Sequence, residues 1–491
     1  TETENKYMSV NHRPYKFKGK EAYCKRYSKE RLVPLLDKSI TNILSKQGLE
    51  PEFMPRSVYR PHKLYEALNK YSEIHSSHPF KKDEHFRNGV LFAKRIFQKP
   101  YYEDYLQPLP LNEELELNLS NPKASAGLTW YGSSKKDAFA FGLDKAKRIV
   151  AGKISPEPCI AMARTQKNDK TRLVWCYPLT MNIIESLFAR PLIDRFKTFN
   201  TPMHFGVPQR VTSSKLRRAA DRYLYSYSLD YSQFDASLSR ELIFAAFRIL
   251  SSWFKFDDGT EDVLGEELWP ELGLNGPTQS DVWNIIVNYF VTSPIVMPDG
   301  DVYYGRRNGV PSGSYFTQII DSICNVILMG MVDSKFSLHL REEQLFVLGD
   351  DCLLFDNHEL PLESISRFLH NRKVTLNADK CEVSSGDNVH FLGRRWIYGK
   401  PTGEMQELIN KVCQPETYRK YAYRDSYLEQ YLLLRSYASV YNNFTDVVFN
   451  AVDDGFPVTF ERLSFGGDLD VDPRHLSGLM KYQKKYNPVS Y

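Results

Sequence analysis

The run LFVLGDDCLLF, residues 345–355, leaves a folding chain little choice. Its apolar segments are too short for helices and flank Gly349-Asp350-Asp351, so it reads as two strands and a tight turn, with Gly349 supplying the unusual backbone angle. Adjacent carboxylates at the edge of a buried sheet repel each other and are poorly solvated, and a nearby cation relieves that strain. Aspartate in a turn is nevertheless ordinary, and the pair by itself reads as a solvated hairpin.

Two other segments change the weight of that pair. In YLYSYSLD, residues 223–230, Tyr223, Tyr225, Tyr227 and Leu229 share one face and Leu224, Ser226, Ser228 and Asp230 the other, which predicts a strand ending on a carboxylate. Leu242, Ile243, Ala246, Phe247 and Leu250 then recur at helical spacing behind Ser239 as N-cap, so Asp230 and Asp235 flank a turn between strand and helix. GVPSGS, residues 309–314, is a small-residue loop, and Phe316, Ile319, Ile320, Ile323, Ile327, Leu328 and Met331 predict a helix after it. Thr317, Asp321 and Asn325 form a polar stripe opposite that apolar face; alone, it reads as helix surface.

With 491 residues, 42% of them hydrophobic, the chain has material for roughly three domains' worth of core. A net charge of +4 is too small to announce a polyanion partner, so such affinity rests on local runs: HRPYKFKGKEAYCKR, DKAKRIVAGK, RTQKNDKTR, KLRRAADR and KYQKKY. Each alone reads as a solvated face; together, among 31 tyrosines and 29 phenylalanines, they favour a nucleic-acid groove. The seven cysteines form no C-x-x-C pair and read as reduced thiols in a cytosolic setting. No apolar stretch is long enough to span a bilayer, the polar start lacks a signal-peptide core, and neither an internal repeat nor a long linker is present.

A carboxylate at the end of one strand, a carboxylate pair at a hairpin turn and a small-residue loop leading into a polar helix face together suit phosphoryl or nucleotidyl transfer. Two Mg²⁺ ions about 3.5–4 Å apart, one activating the attacking oxygen and one stabilising the leaving group, require carboxylates converging from different strands. Asp230 and Asp350 are the natural bridging pair, and the hard oxygen donors suit Mg²⁺ better than zinc.

At this point a resemblance becomes specific. SLDYSQFDASLS resembles motif A of viral RNA-dependent RNA polymerases, GVPSGSYFTQIIDSICN motif B and VLGDDCLLF motif C, in that family's order. RTQKNDKTRLVW is similar to the basic motif F, VTLNADKCEV to motif D, VHFLGRRW to motif E and KASAGLTW to the template-guiding motif G. The matches span residues 123–396 and are most like polymerases of double-stranded RNA viruses of the partitivirus and picobirnavirus type.

The resemblance implies an α+β right-hand polymerase with an antiparallel palm sheet flanked by helices. Residues 1–180 would form the N-terminal region and fingers, 181–240 the palm with motif A, 241–305 a fingers insertion, 306–400 the palm with motifs B to E, and 401–491 the thumb and tail. It implies that Asp230 and Asp350, assisted by Asp351, hold two Mg²⁺ ions, with Mn²⁺ an acceptable substitute. Lys380 is expected as a general acid for pyrophosphate, and Arg164, Lys167, Lys170 and Arg172 along the nucleotide channel. Asp235, Ser312, Gly313, Thr317, Asp321 and Asn325 are expected around the nucleotide, and Ser125 and Gly127 along the template.

Asp235 is an acceptor for the ribose 2′-OH at a position where reverse transcriptases usually place an aromatic gate. Asp321 departs from the asparagine usual in plus-strand viruses, and an ionised aspartate can only accept hydrogen bonds. The resemblance further implies RNA template and product, NTPs, a viral capsid protein as partner, no membrane, a site inside the virus particle in the host cytoplasm, and de novo initiation. The rivals are a reverse transcriptase, a non-catalytic RNA-binding scaffold and a two-metal nuclease; the intact carboxylates, Asp235 and the basic channel argue against them.

Overall fold

The computed structural model describes residues 12–30, 38–46, 48–52, 58–72, 78–166, 170–256, 277–402 and 405–414. Lys167 and nearly all of the segment expected to form a thumb lie outside the described residues.

The strands in chain order are β1 His12–Pro14, β2 Cys159–Gln166, β3 Lys170–Cys176, β4 Tyr225–Leu229, β5 Tyr231–Ser232, β6 Ile295–Val296 and β7 Asp301–Tyr303. They continue as β8 Leu345–Leu348, β9 Asp351–Asp356, β10 Thr375–Leu376, β11 Glu382–Ser385, β12 Asn388–Phe391, β13 Arg394–Ile397 and β14 Lys400–Thr402. Five helices matter most here: α1 Glu84–Phe97, α2 Leu179–Phe196, α3 Gln209–Arg222, α4 Arg240–Ser251 and α5 Thr317–Phe336.

An antiparallel sheet in the order β11-β4-β9-β8 is the centre of the molecule. Its period-two alternation feeds two separate cores. Tyr227, Leu229, Leu345, Val347, Cys352 and Leu354 enter the main core against α5, whereas Phe346, Leu353 and Phe355 pack under Leu216 and Ala219 of α3. Both faces are covered, which is why β8 and β9 read as continuous apolar runs. The expected hairpin is present, and Gly349 holds φ +58°, the left-handed region favoured by glycine.

Ser239 caps α4 as its sequence position suggests, its Oγ accepting from the Leu242 N–H at 3.3 Å. The turn before α4 is built from β5 and one helical turn, Phe234–Ser237. The basic stretch RTQKNDKTR runs along the β2–β3 hairpin, which belongs to a second sheet in the order β1-β7-β6-β2-β3. That sheet joins residues near the N-terminus to residues 295–303. Among the described residues, no helix is long and apolar enough to cross a membrane.

Candidate active site

Antiparallel register carries Asp230 to the aspartate turn. Leu229 pairs with Cys352 and Leu348 with Asp351, so one step past β4 Asp230 falls opposite Asp351, and directly opposed residues share a face. Asn377 closes this end of the sheet: its N–H donates to the Asp230 carbonyl at 2.8 Å and its side-chain amide to Asp230 Oδ1 at 3.1 Å. The Asp230 N–H in turn donates to Cys381 Sγ at 3.4 Å. The segment carrying Lys380 is thereby fastened beside the first carboxylate.

Helix α5 fixes the turn from the core side. Ser322 Oγ accepts from the Gly349 N–H at 2.9 Å, and the Asn325 amide donates to the carbonyls of Gly349 and Asp351 at 3.0 and 3.1 Å. Asn325 Oδ1 accepts from the Tyr231 hydroxyl at 3.0 Å. Asn325, expected near the nucleotide, is fully buried, and its side chain holds the turn. Thr317 is also buried, and its hydroxyl donates to the Pro311 carbonyl at 2.6 Å, closing the small-residue loop on itself. The polar stripe is buried rather than helix surface: Thr317 faces the small-residue loop, Asp321 faces Asp235 and Asn325 faces the β8–β9 turn.

The carboxylates strain one another. Desolvation, then Asp235 and more weakly Asp230, push Asp350 above the ordinary aspartate range against the pull of Arg172. Burial, then Asp350 and Asp230, lift Asp351 to about 6, while the Leu392 N–H pulls the other way. Asp321 is almost fully buried and hydrogen-bonded to Asp235. Two carboxyl groups can share a hydrogen bond only if one carries a proton. Burial first, then Asp235 and Asp350, hold Asp321 well above its usual range, which favours the protonated form, the form able to donate to Asp235. Its Oδ1 has no hydrogen-bond partner.

The loop before α5 is clamped from two sides. Ser312 Oγ accepts from the Trp175 N–H at 2.9 Å, and a Cβ at Gly313 would stand 2.0 Å from the Trp175 carbonyl oxygen, so only glycine lets the loop lie against the end of β3. Val310 N–H donates to the Asp235 carbonyl at 2.7 Å on the other side. Glu185, on α2 and fully buried, accepts from the Tyr315 N–H at 3.1 Å and from the Asn182 amide at 3.2 Å, and is hydrogen-bonded to the Ser314 hydroxyl. Sequence reasoning missed Glu185, although a lone carboxylate in the apolar run LTMNIIESLFA was a signal. Ser322, Tyr231 and Asn377 were also missed, and their roles depend on pairing across distant segments.

Burial pushes Glu185 up to about 7, so the folded state binds its proton more tightly than the unfolded chain. That stabilisation is fully present below the unfolded carboxylate value and is lost as pH rises towards 7. Glu185→Gln, neutral at every pH, should flatten this slope and exceed the wild type at pH 8 by on the order of 3 kcal/mol. Melting temperatures of both proteins at pH 5 and pH 8 check this; parallel pH slopes would refute it.

The cations gather opposite the carboxylates. Arg164 and Arg172 are register partners on β2 and β3 and are both exposed. The neighbouring Lys380 ammonium is the largest influence lowering Lys170, with Asp230 pulling it back. Segments far apart in sequence thus place Lys170 and Lys380 side by side near Asp230, and Arg172 within electrostatic reach of Asp350. Ser125 Oγ accepts from the Gly127 N–H at 3.2 Å, and Gly127 is buried against Tyr177 and Pro178, beyond the end of β3.

The donor set fits a hard divalent cation: carboxylate oxygens from two strand ends, with Asp350 and Asp351 raised by burial and then by neighbouring carboxylates, and an unpartnered carboxyl oxygen of Asp321 close by. The carboxylates of Asp230, Asp350 and Asp351 do not all fall within 4.8 Å of one another; among the described residues His12, Asp299 and Asp301 do. That trio is satisfied by protein groups, since His12 bonds Asp301 at 2.8 Å and Asp299 accepts from the Asp301 N–H at 2.9 Å and from the Tyr303 hydroxyl.

This fold and this gathering of carboxylates and cations define a polymerase-like site. The chain matches the family of viral RNA-dependent RNA polymerases over residues 120–443 and belongs to it. It is 27% identical over 343 residues to the RNA-directed RNA polymerase of Cryptosporidium parvum virus 1, across 63% of this chain and 60% of that one. It is 33% identical over 132 residues to the RNA-directed RNA polymerase of Atkinsonella hypoxylon virus, across 25% of this chain and 20% of that one. The chain thus spans less than two thirds of these relatives' own length. The crystal structure of the RNA-dependent RNA polymerase of a human picobirnavirus shares the fold, with a TM-score of 0.63 at 16% identity, covering 97% of this chain and 90% of that one.

Proposed function

We propose that the chain is an RNA-directed RNA polymerase of a double-stranded RNA virus, adding nucleotides from NTPs to RNA on an RNA template. The observation that carries this reading is the meeting of Asp230, Asp350 and Asp351 at one end of an antiparallel sheet with Lys170, Arg172 and Lys380 opposite them. In this reading the β11-β4-β9-β8 sheet is the palm, the N-terminal region and residues 241–305 are fingers, and the segment from 401 is the thumb. The second sheet supports the fingers grouping, because it pairs strands from both segments.

Asp230 and Asp350, with Asp351 assisting, would hold two Mg²⁺ ions, which when bound supply charge neutralisation at the attacking and leaving oxygens. The chain's own residues do the rest. Arg164, Arg172 and Lys170 attract and align the triphosphate, and Lys380, beside Lys170, donates a proton to departing pyrophosphate. Asp235, oriented by the proton on Asp321, accepts the ribose 2′-OH, and the clamped loop at Ser312 and Gly313 supports the nascent base pair.

Purified protein with an RNA template, four NTPs and Mg²⁺ should yield full-length complementary RNA. Unprimed product bearing a 5′ triphosphate would support de novo initiation; product formed only from a primer would overturn that part. The aromatic-rich thumb segment from residue 415 on and the tail KYQKKYNPVSY, either of which could supply an initiation platform, lie outside the described residues. Work inside a virus particle in the host cytoplasm, beside a capsid protein, belongs to the same proposal.

A further inference from the structure

A cavity of about 1400 Å³ lies away from the aspartate turn, and none of the carboxylates or cations of the candidate active site lines it. Its walls include Arg222 and Tyr223, just before β4, and Glu342, Glu343, Leu345 and Phe346, at the start of β8. Asp230 and Asp350 lie past the opposite ends of those strands. At about 3.3 Å per residue the two sites are roughly 15–20 Å apart across the sheet.

The lining has a distinct chemistry. Six cations, Arg95, Lys99, Arg195, Lys215, Arg218 and Arg222, face three carboxylates, and two of those carboxylates are already paired, Glu103 with Arg195 and Glu343 with Arg222. Arg95 and Arg218 are exposed and form no ion pair among the described residues. Tyr101, Tyr102 and Tyr105 are 96%, 69% and 48% exposed, an unusual concentration of aromatic surface.

These rings ride on an anchored loop. The Lys99 N–H donates to Ser252 Oγ at 3.0 Å, Lys99 Nζ to the carbonyls of Pro100 and Glu103 at 2.9 and 2.6 Å, and the Leu106 N–H to the Trp253 carbonyl at 2.8 Å. Tyr101 and Tyr102 meet edge-on, with interplanar angle 84°, which leaves ring faces open.

We propose that this cleft binds single-stranded RNA, with Tyr101 and Tyr102 stacking on bases and Arg95 and Arg218 contacting phosphates. Three properties select that ligand. The volume exceeds the roughly 300–1,000 Å³ of a single-ligand pocket, so a polymer segment fits better than one nucleotide. Unpaired cations in excess of acids match a phosphate backbone. Open aromatic faces are used by unstacked bases and are idle against a duplex, whose bases are stacked inside. The cleft is a second contact for a strand, separate from the site of synthesis.

The test is photocrosslinking of a 12-nucleotide RNA containing 4-thiouridine to the full chain, with adducts mapped by mass spectrometry. Adducts are expected on the peptide carrying Tyr101 and Tyr102. They should persist in Asp350→Asn, so failure of the polymerase reading leaves this readout intact. The Arg95→Glu/Arg218→Glu protein, checked for an unchanged melting temperature, should lose at least about ten-fold in adduct yield. Its salt slope should be shallower by about 1.4, the value for two single-strand phosphate contacts. Tyr101→Ala/Tyr102→Ala should lose affinity for oligouridine more than for an abasic ribose-phosphate polymer. Absence of adducts in this segment, or yields untouched by charge reversal, would overturn the proposal. So would equal displacement of the RNA by polyglutamate, which would make the cleft an acidic-protein dock.

Discussion

Asp350→Asn is expected to give a protein that melts higher than wild type in EDTA and makes no detectable RNA. Both halves follow from one arrangement. The Asp350 carboxylate is disfavoured where it stands, by desolvation and by Asp235 and Asp230, so a neutral isostere relieves repulsion in the cation-free protein. The same exchange removes an oxygen donor from the proposed metal site, and losing several kcal/mol of charge stabilisation lowers the rate by on the order of 10³-fold or more. Single-nucleotide incorporation and a thermal melt on one preparation check both halves. An active variant sinks the site assignment; an inactive variant that melts lower points to collapse of the turn.

The second large effect concerns the sugar. Asp321→Ala should lower the preference for NTP over dNTP by on the order of 100-fold, because a hydrogen bond involving a charged group is worth about 1.5–3 kcal/mol. Burial and the neighbouring carboxylates favour the protonated Asp321, which in the proposed reading donates to Asp235 and keeps that carboxylate aimed. Asp321→Asn, an obligate donor of similar shape, should retain the preference. Steady-state incorporation of UTP and dUTP by the three proteins decides it, and equal selectivity in Asp321→Ala would remove Asp321 from sugar reading. The departure from the usual asparagine thus has a physical resolution: a buried carboxylic acid, kept neutral by its neighbours, offers the N–H donor's service through an O–H.

How much of this was legible beforehand varies with the range of the interaction. The aspartate hairpin, the strand ending at Asp230, the Ser239 cap and the helix after the small-residue loop were all readable, since each is set by periodicity or turn chemistry within a few residues. The environment of the helical stripe was not. Thr317 and Asn325 have the same spacing whether they face water or the interior, and only the packing of the small-residue loop and of the β8–β9 turn on α5 decides which. The Glu185 clamp and the meeting of Lys170 with Lys380 likewise arise from contacts across long stretches of chain. Of the tyrosine cleft only the basic run KLRRAADR was readable, because its ring-bearing loop, Arg195 and that run come from three separate segments that only the fold brings together.

Helix α5 carries the clamped loop at its N-terminus and, two turns on and about 12 Å away, the side chains that grip the aspartate turn. It is buried along most of its length, so it moves as one body or not at all. In the proposed polymerase, an ill-fitting base pair that displaces the loop would drag the acidic turn with it. Copying accuracy becomes a mechanical property of a single rod: loosening its grip with Asn325→Ala should raise the misincorporation frequency on a defined template more than it slows correct addition. An error spectrum identical to wild type would show instead that loop and turn move independently.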